Sequence, residues 1–118
     1  MDLPPVKRQQ RRLSMRRLPR RTSRVVCRRG LLGLGPNVAV SLLDISECGA
    51  RLLIKVQVER QQEVEITLLP PGGAREIVRK GEVVWCIPTD KGAFYVGISF
   101  DKRIDYSALC DLSTLATH

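Results

Sequence analysis

A chain of 118 residues, 43% hydrophobic and 4% aromatic, has room for one domain with one modest core. The lone histidine is the terminal His118, and the cysteines at 27, 48, 86 and 110 form no C-x-x-C pair, which argues against a zinc site and against nucleophilic catalysis. No catalytic residue, metal or cofactor is expected, and a binding module fits better than an enzyme.

The net charge of +8 is unevenly spread: residues 1–30 hold eleven Lys or Arg and one acid, residues 31–118 nine basic and eleven acidic residues. A basic leader on a near-neutral body points to an anionic partner such as a nucleic acid, a lipid headgroup or a phosphorylated small molecule. A solvated tail fits the same charge. Leu3-Pro4-Pro5-Val6 is too short for the apolar core of a secretory signal, and no apolar run approaches the length of a membrane span. A reduced, cytoplasmic protein with small buried thiols is expected, with a disulfide framework as the alternative.

In chain order, residues 1–23 mix Arg, Gln, Pro and Ser with isolated apolar residues and predict no stable structure of their own. Arg24 to Arg28 predicts a short strand ending at Gly30, and Gly33-Leu34-Gly35-Pro36-Asn37 a turn. Val38 to Leu43 predicts a strand leading into Asp44-Ile45-Ser46, then a turn at Glu47-Cys48-Gly49 and a strand from Ala50 to Ile54. Val64, Ile66 and Leu68 alternate with Glu63, Glu65 and Thr67, a period of two with one wet face. Ile77 to Ile87 predicts a long strand turned back at Asp90-Lys91-Gly92 onto a strand in which Phe94, Val96, Ile98 and Phe100 share one side. Asp105 suits a helix N-cap, with Tyr106, Leu109, Cys110 and Leu112 at helical spacing behind it.

Six short strands with tight turns and one terminal helix predict an all-β fold: a small six-stranded antiparallel β-barrel, a C-terminal helix, and a flexible basic N-terminal arm. The expected division is a basic arm over 1–19 and the barrel domain with its helix over 20–118.

The strongest local signal is Asp44-Ile45-Ser46-Glu47-Cys48-Gly49, a carboxylate and a hydroxyl at the end of an apolar strand, then a glycine at the turn. One reading is a β-turn capped by the Asp and Ser side chains, with Gly49 supplying a positive φ. The other is a ligand corner. Guanine presents N–H donors that match a carboxylate, and acceptors at O6 and N7 that match an arginine fork. Arginines at Arg-x-x-x-Arg spacing offer such forks and flat stacking faces.

Together these features resemble the PilZ domain family, bacterial receptors for cyclic di-GMP: an Arg-x-x-x-Arg arm, about twenty residues, then [Asp/Asn]-x-Ser-x-x-Gly. Val83-Val84-Trp85 followed by Phe94 to Phe100 resembles the family's closing hairpin, so the likeness covers residues 16–115. It implies a non-enzymatic receptor that binds cyclic di-GMP through Arg20, Arg21, Arg24, Asp44, Ser46 and Gly49, with ligand ordering the arm over the barrel to switch contact with a partner protein. A second register uses Arg16, Arg17 and Arg20. For that reading the corner must be open to the arm. Trp85 reads as a core anchor, the default for a strand aromatic, or as a stacking wall. The rival functions are a basic-armed barrel that binds nucleic acid or another anionic surface by counterion release, and a PilZ-like interaction module without nucleotide binding. Too few aromatics are present for base stacking, so a nucleic-acid partner is not expected.

Overall fold

The computed structural model describes residues 16–30 and 34–114. Six strands form one antiparallel sheet: β1 (Arg24–Arg29), β2 (Ala39–Ile45), β3 (Gly49–Ile54), β4 (Glu63–Leu69), β5 (Ile77–Pro88) and β6 (Phe94–Phe100). One helix among the described residues, α1 (Tyr106–Leu112), follows. The strand order is β1-β4-β5-β6-β3-β2, so β1 and β2 are the two edges. They meet rather than ladder. Val38 N–H donates to the Cys27 carbonyl at 2.8 Å, and Asn37 Oδ1 accepts from the amides of Cys27 and Ala39, both at 2.9 Å. One asparagine thus bridges the two edges and nearly closes the barrel, which removes most of the free edge that an open sheet would expose.

The alternation read from the sequence sets the core. Val64, Ile66 and Leu68 point inward with at most 1% exposure, while Glu63 stays in solvent. Ile45, Leu52, Val96, Ile98 and Phe100 come from the opposite wall, and Leu109 and Leu112 of α1 close the core. Burying each large aliphatic side chain contributes about 1.5–3 kcal/mol, so these residues, more than any polar contact, hold the barrel together. Tyr106, expected on the apolar face of α1, lies outside at 58% exposure. Asp105 occupies the N-cap position, but its side chain makes no capping hydrogen bond; its carbonyl accepts from the Leu109 amide at 3.0 Å instead.

Cys27 is buried at 1%, and burial pushes its thiol up to about 11. All four cysteines are unbridged; Cys27 is buried as expected, whereas Cys48, Cys86 and Cys110 are only partly buried. Among the described residues no helix is long and apolar enough to cross a membrane.

The leader departs from expectation. Residues 1–15 and Gly33 of the expected turn lie outside the described residues. From Arg16 onward, however, the chain is pinned to the barrel. Arg17 and Ile45 exchange main-chain hydrogen bonds at 2.8 and 2.9 Å, and the Arg20 amide donates to the Leu112 carbonyl at 2.8 Å. Thr114 N–H donates to the Leu18 carbonyl at 3.0 Å, so the segment threads between the end of β2 and the end of α1. Composition hid this because the ties are made by backbone groups, which every sequence carries.

Candidate functional site

The β2–β3 hairpin carries the Asp-x-Ser-x-x-Gly element, and its geometry explains why each residue is there. Ser46 N–H donates to the Gly49 carbonyl at 2.9 Å, and Ser46 Oγ accepts from the Cys48 amide at 3.3 Å, so the hydroxyl caps its own turn. The turn is braced from outside: Phe100 N–H donates to the Cys48 carbonyl, Ile104 N–H to the Glu47 carbonyl, and Arg103 Nη2 to Glu47 Oε1 at 2.6 Å. The Glu47 carboxylate holds the Arg103 guanidinium above its ordinary range. Gly49 differs from expectation. Its φ is not positive; glycine is needed because a Cβ there would overlap the Ile98 carbonyl oxygen of β6.

Asp44 and Arg51 are partners in the β2–β3 register. Arg51 grips Asp44 Oδ2 with Nε at 2.5 Å and with Nη2. Hydrogen bonding to that carboxylate holds the Arg51 guanidinium above its ordinary range, against a smaller desolvation effect. Arg16 Nη1 approaches the other oxygen, Oδ1, at 3.0 Å. The corner is therefore not open as expected: Asp44 is 4% exposed and Ser46 6%. What covers the carboxylate is charge rather than core, because the side chains of Arg16 and Arg51 remain 55% and 45% exposed.

The three arginines of the preferred register lie elsewhere. Arg20, Arg21 and Arg24 line a cleft of 360 Å³ at the β1–β2 seam, together with Ser23, Asn37 and Ser41. The Arg20 guanidinium also donates to the Cys110 carbonyl of α1, from Nε at 3.3 Å and Nη2 at 3.0 Å. Arg17 stands over the Tyr106 ring, 5.3 Å from its centroid, a cation–π contact. Cleft and corner share β2, and three residue steps of strand carry the chain about 10 Å from Ser41 to Asp44. The structure thus brings Asp44, Ser46 and Gly49 together, and Arg20, Arg21 and Arg24 together, as two neighbouring groups. Arg51 escaped the sequence reading, although Asp44 and Arg51 are symmetric about the Glu47–Cys48 turn and so face each other in a hairpin.

Trp85 is not a core anchor. A bulge between Val83 and Trp85 turns the indole to the outer face of the barrel, half-buried across Gly97. A Cβ on Gly97 would lie 2.5 Å from Trp85 Cε2 and 2.6 Å from Nε1. Gly97→Val is expected to lift the ring into solvent, red-shift the emission of the single tryptophan, and cost about 1–3 kcal/mol in urea unfolding.

A six-stranded barrel with an arginine-rich leader pinned beside an acid-and-hydroxyl turn defines a small binding module whose charged groups converge on one side. The chain matches the family model of the PilZ domain over residues 7–114, and it belongs to the PilZ domain family, a family of cyclic di-GMP-binding domains. Among curated proteins none matches the chain. Among the described residues no cluster of His, Cys, Asp or Glu is arranged to hold a metal ion.

Proposed function

We propose that the protein is a cytoplasmic receptor for cyclic di-GMP that passes the signal to a partner protein. The observation that carries this reading is the meeting of two distant stretches, leader and hairpin, at the Arg16–Asp44 contact of 3.0 Å. Asp44 takes the N–H donors of one guanine, Ser46 adds a hydroxyl, and Gly49 keeps the backbone close. Arg20, Arg21 and Arg24 clamp phosphates and stack on bases from the cleft at the seam. A ligand with two bases and two phosphates is long enough to touch both groups. Its engagement of Arg20 competes with the Cys110 carbonyl, so binding moves the leader and alters the surface offered to a partner.

Isothermal titration calorimetry with cyclic di-GMP tests this directly. Wild-type protein is expected to bind, and Arg20→Ala to lose about tenfold or more, the worth of one charge-assisted hydrogen bond to a phosphate or base edge. Unfolding in urea is expected to change by less than about 1 kcal/mol, because the lost bonds are solvent-exposed. Absence of heat with the wild-type protein, together with steeply salt-dependent binding to DNA, would favour the nucleic-acid reading instead.

A further inference from the structure

We propose that the two arginines on Asp44 act in opposite directions on ligand binding: Arg51 positions the carboxylate, and Arg16 is a tethered gate that competes with the nucleotide for Oδ1. The inference rests on the receptor reading above and adds its regulation.

The two contacts are built differently. Arg51 belongs to β3, faces Asp44 across an antiparallel pair, and holds Oδ2 with two nitrogens. That fork fixes the rotamer of the carboxylate, and the sheet itself keeps it in place. Arg16 holds Oδ1 through a single nitrogen, from a half-exposed side chain, one residue ahead of the isolated Arg17–Ile45 bridge. The exchangeable oxygen is therefore Oδ1, and the group that must leave is Arg16.

A tethered competitor raises the apparent dissociation constant in inverse proportion to the fraction of molecules in which the seat is free. For a half-exposed ion pair this factor is about two to five at low salt, and it shrinks as ionic strength rises. The guanidinium also covers a carboxylate that would otherwise stand ready for stray cations or basic peptides.

Calorimetric titrations of cyclic di-GMP into wild type, Arg16→Ala, Arg51→Ala and Arg51→Lys separate the roles. Arg16→Ala is expected to bind about two- to fivefold tighter at low salt, with the difference fading toward 0.5 M salt. Arg51→Ala is expected to bind about tenfold weaker, and Arg51→Lys, which keeps the charge and loses the fork, to recover only part of that. Equal or weaker binding by Arg16→Ala overturns the gate and places Arg16 in the ligand clamp. Full recovery by Arg51→Lys overturns the positioning role. If wild type and Arg16→Ala are both silent, the receptor reading fails, and the gate with it. Circular dichroism of each variant confirms that the barrel is intact.

Discussion

Asp44→Ala is expected to weaken cyclic di-GMP binding by a factor of about one hundred or more while leaving the barrel folded. On the proposed reading the carboxylate accepts from two guanine N–H donors, and a charge-assisted hydrogen bond contributes about 1.5–3 kcal/mol. Losing two of them removes about 3–6 kcal/mol, or at least two decades of affinity. The structural cost is smaller, because the partners lost are Arg16 and Arg51, both about half exposed, and such pairs are worth about 0–1 kcal/mol each. Alanine also removes a buried polar group and leaves both guanidinium groups free to reach water. Asp44→Asn, a residue that the family pattern accepts, keeps one acceptor and is expected to lose less. Calorimetry gives the affinities, and urea unfolding shows that the fold persists. Unchanged affinity in the alanine variant would remove Asp44 from the site and leave it as a turn residue.

The leader connects this site to the rest of the molecule. Between residues 16 and 23 it touches β2 through Arg17 and Ile45, and α1 through Arg20, Ser23 and the carbonyls of Cys110 and Leu112. Those carbonyls lie in the last turn of the helix, where no intrahelical partner is available. A ligand that draws Arg20 away leaves the Cys110 carbonyl without its side-chain donors, so the end of α1 and the site share the same arginine. From Arg16 onward the leader is held by the barrel and α1. On the receptor reading proposed above, ligand engagement would exchange one set of arginine contacts for another in this described stretch.

Most of the barrel was legible because period-two alternation is a physical requirement of a half-buried sheet. The Val64, Ile66, Leu68 series and the Phe94 to Phe100 series fall on the inner face as read. The exceptions have separate physical causes. Trp85 reached the outer face because a bulge shifts the register between Val83 and Trp85, and a single inserted residue flips every side chain beyond it. The leader's docking rests on main-chain hydrogen bonds that no residue type announces. At the site, Asp44, Ser46 and Gly49 were visible as a motif, but the cover over Asp44 was not. Arginines at 16, 17, 20, 21 and 24 are interchangeable on paper, and only packing decides that Arg16 meets Asp44 while Arg20 meets α1.

Gly49→Ala is expected to lower the melting temperature by about 10 °C or more, a loss of about 2–3 kcal/mol. The obstacle is main chain on both sides. The added methyl would overlap the Ile98 carbonyl oxygen and stand 3.3 Å from its carbon and 3.5 Å from Ser99 Cα. No rotamer change relieves that overlap, so β3 must move away from β6 at the Gly49–Ser99 and Ala50–Ile98 pairs. These strands are interior to the sheet, and Ala50 and Ile98 are core residues, so the displacement opens the core beside the hairpin. A glycine kept solely for close approach of a nucleotide predicts another outcome: unchanged melting with weakened affinity. Differential scanning calorimetry of the ligand-free variant decides between them, and a melting temperature within about 2 °C of wild type would sink the steric account. On that account the three motif residues divide their work. Asp44 carries the charge proposed to meet the ligand, Ser46 ties the turn, and Gly49 lets β3 lie close enough to β6 for the other two to be held where they are.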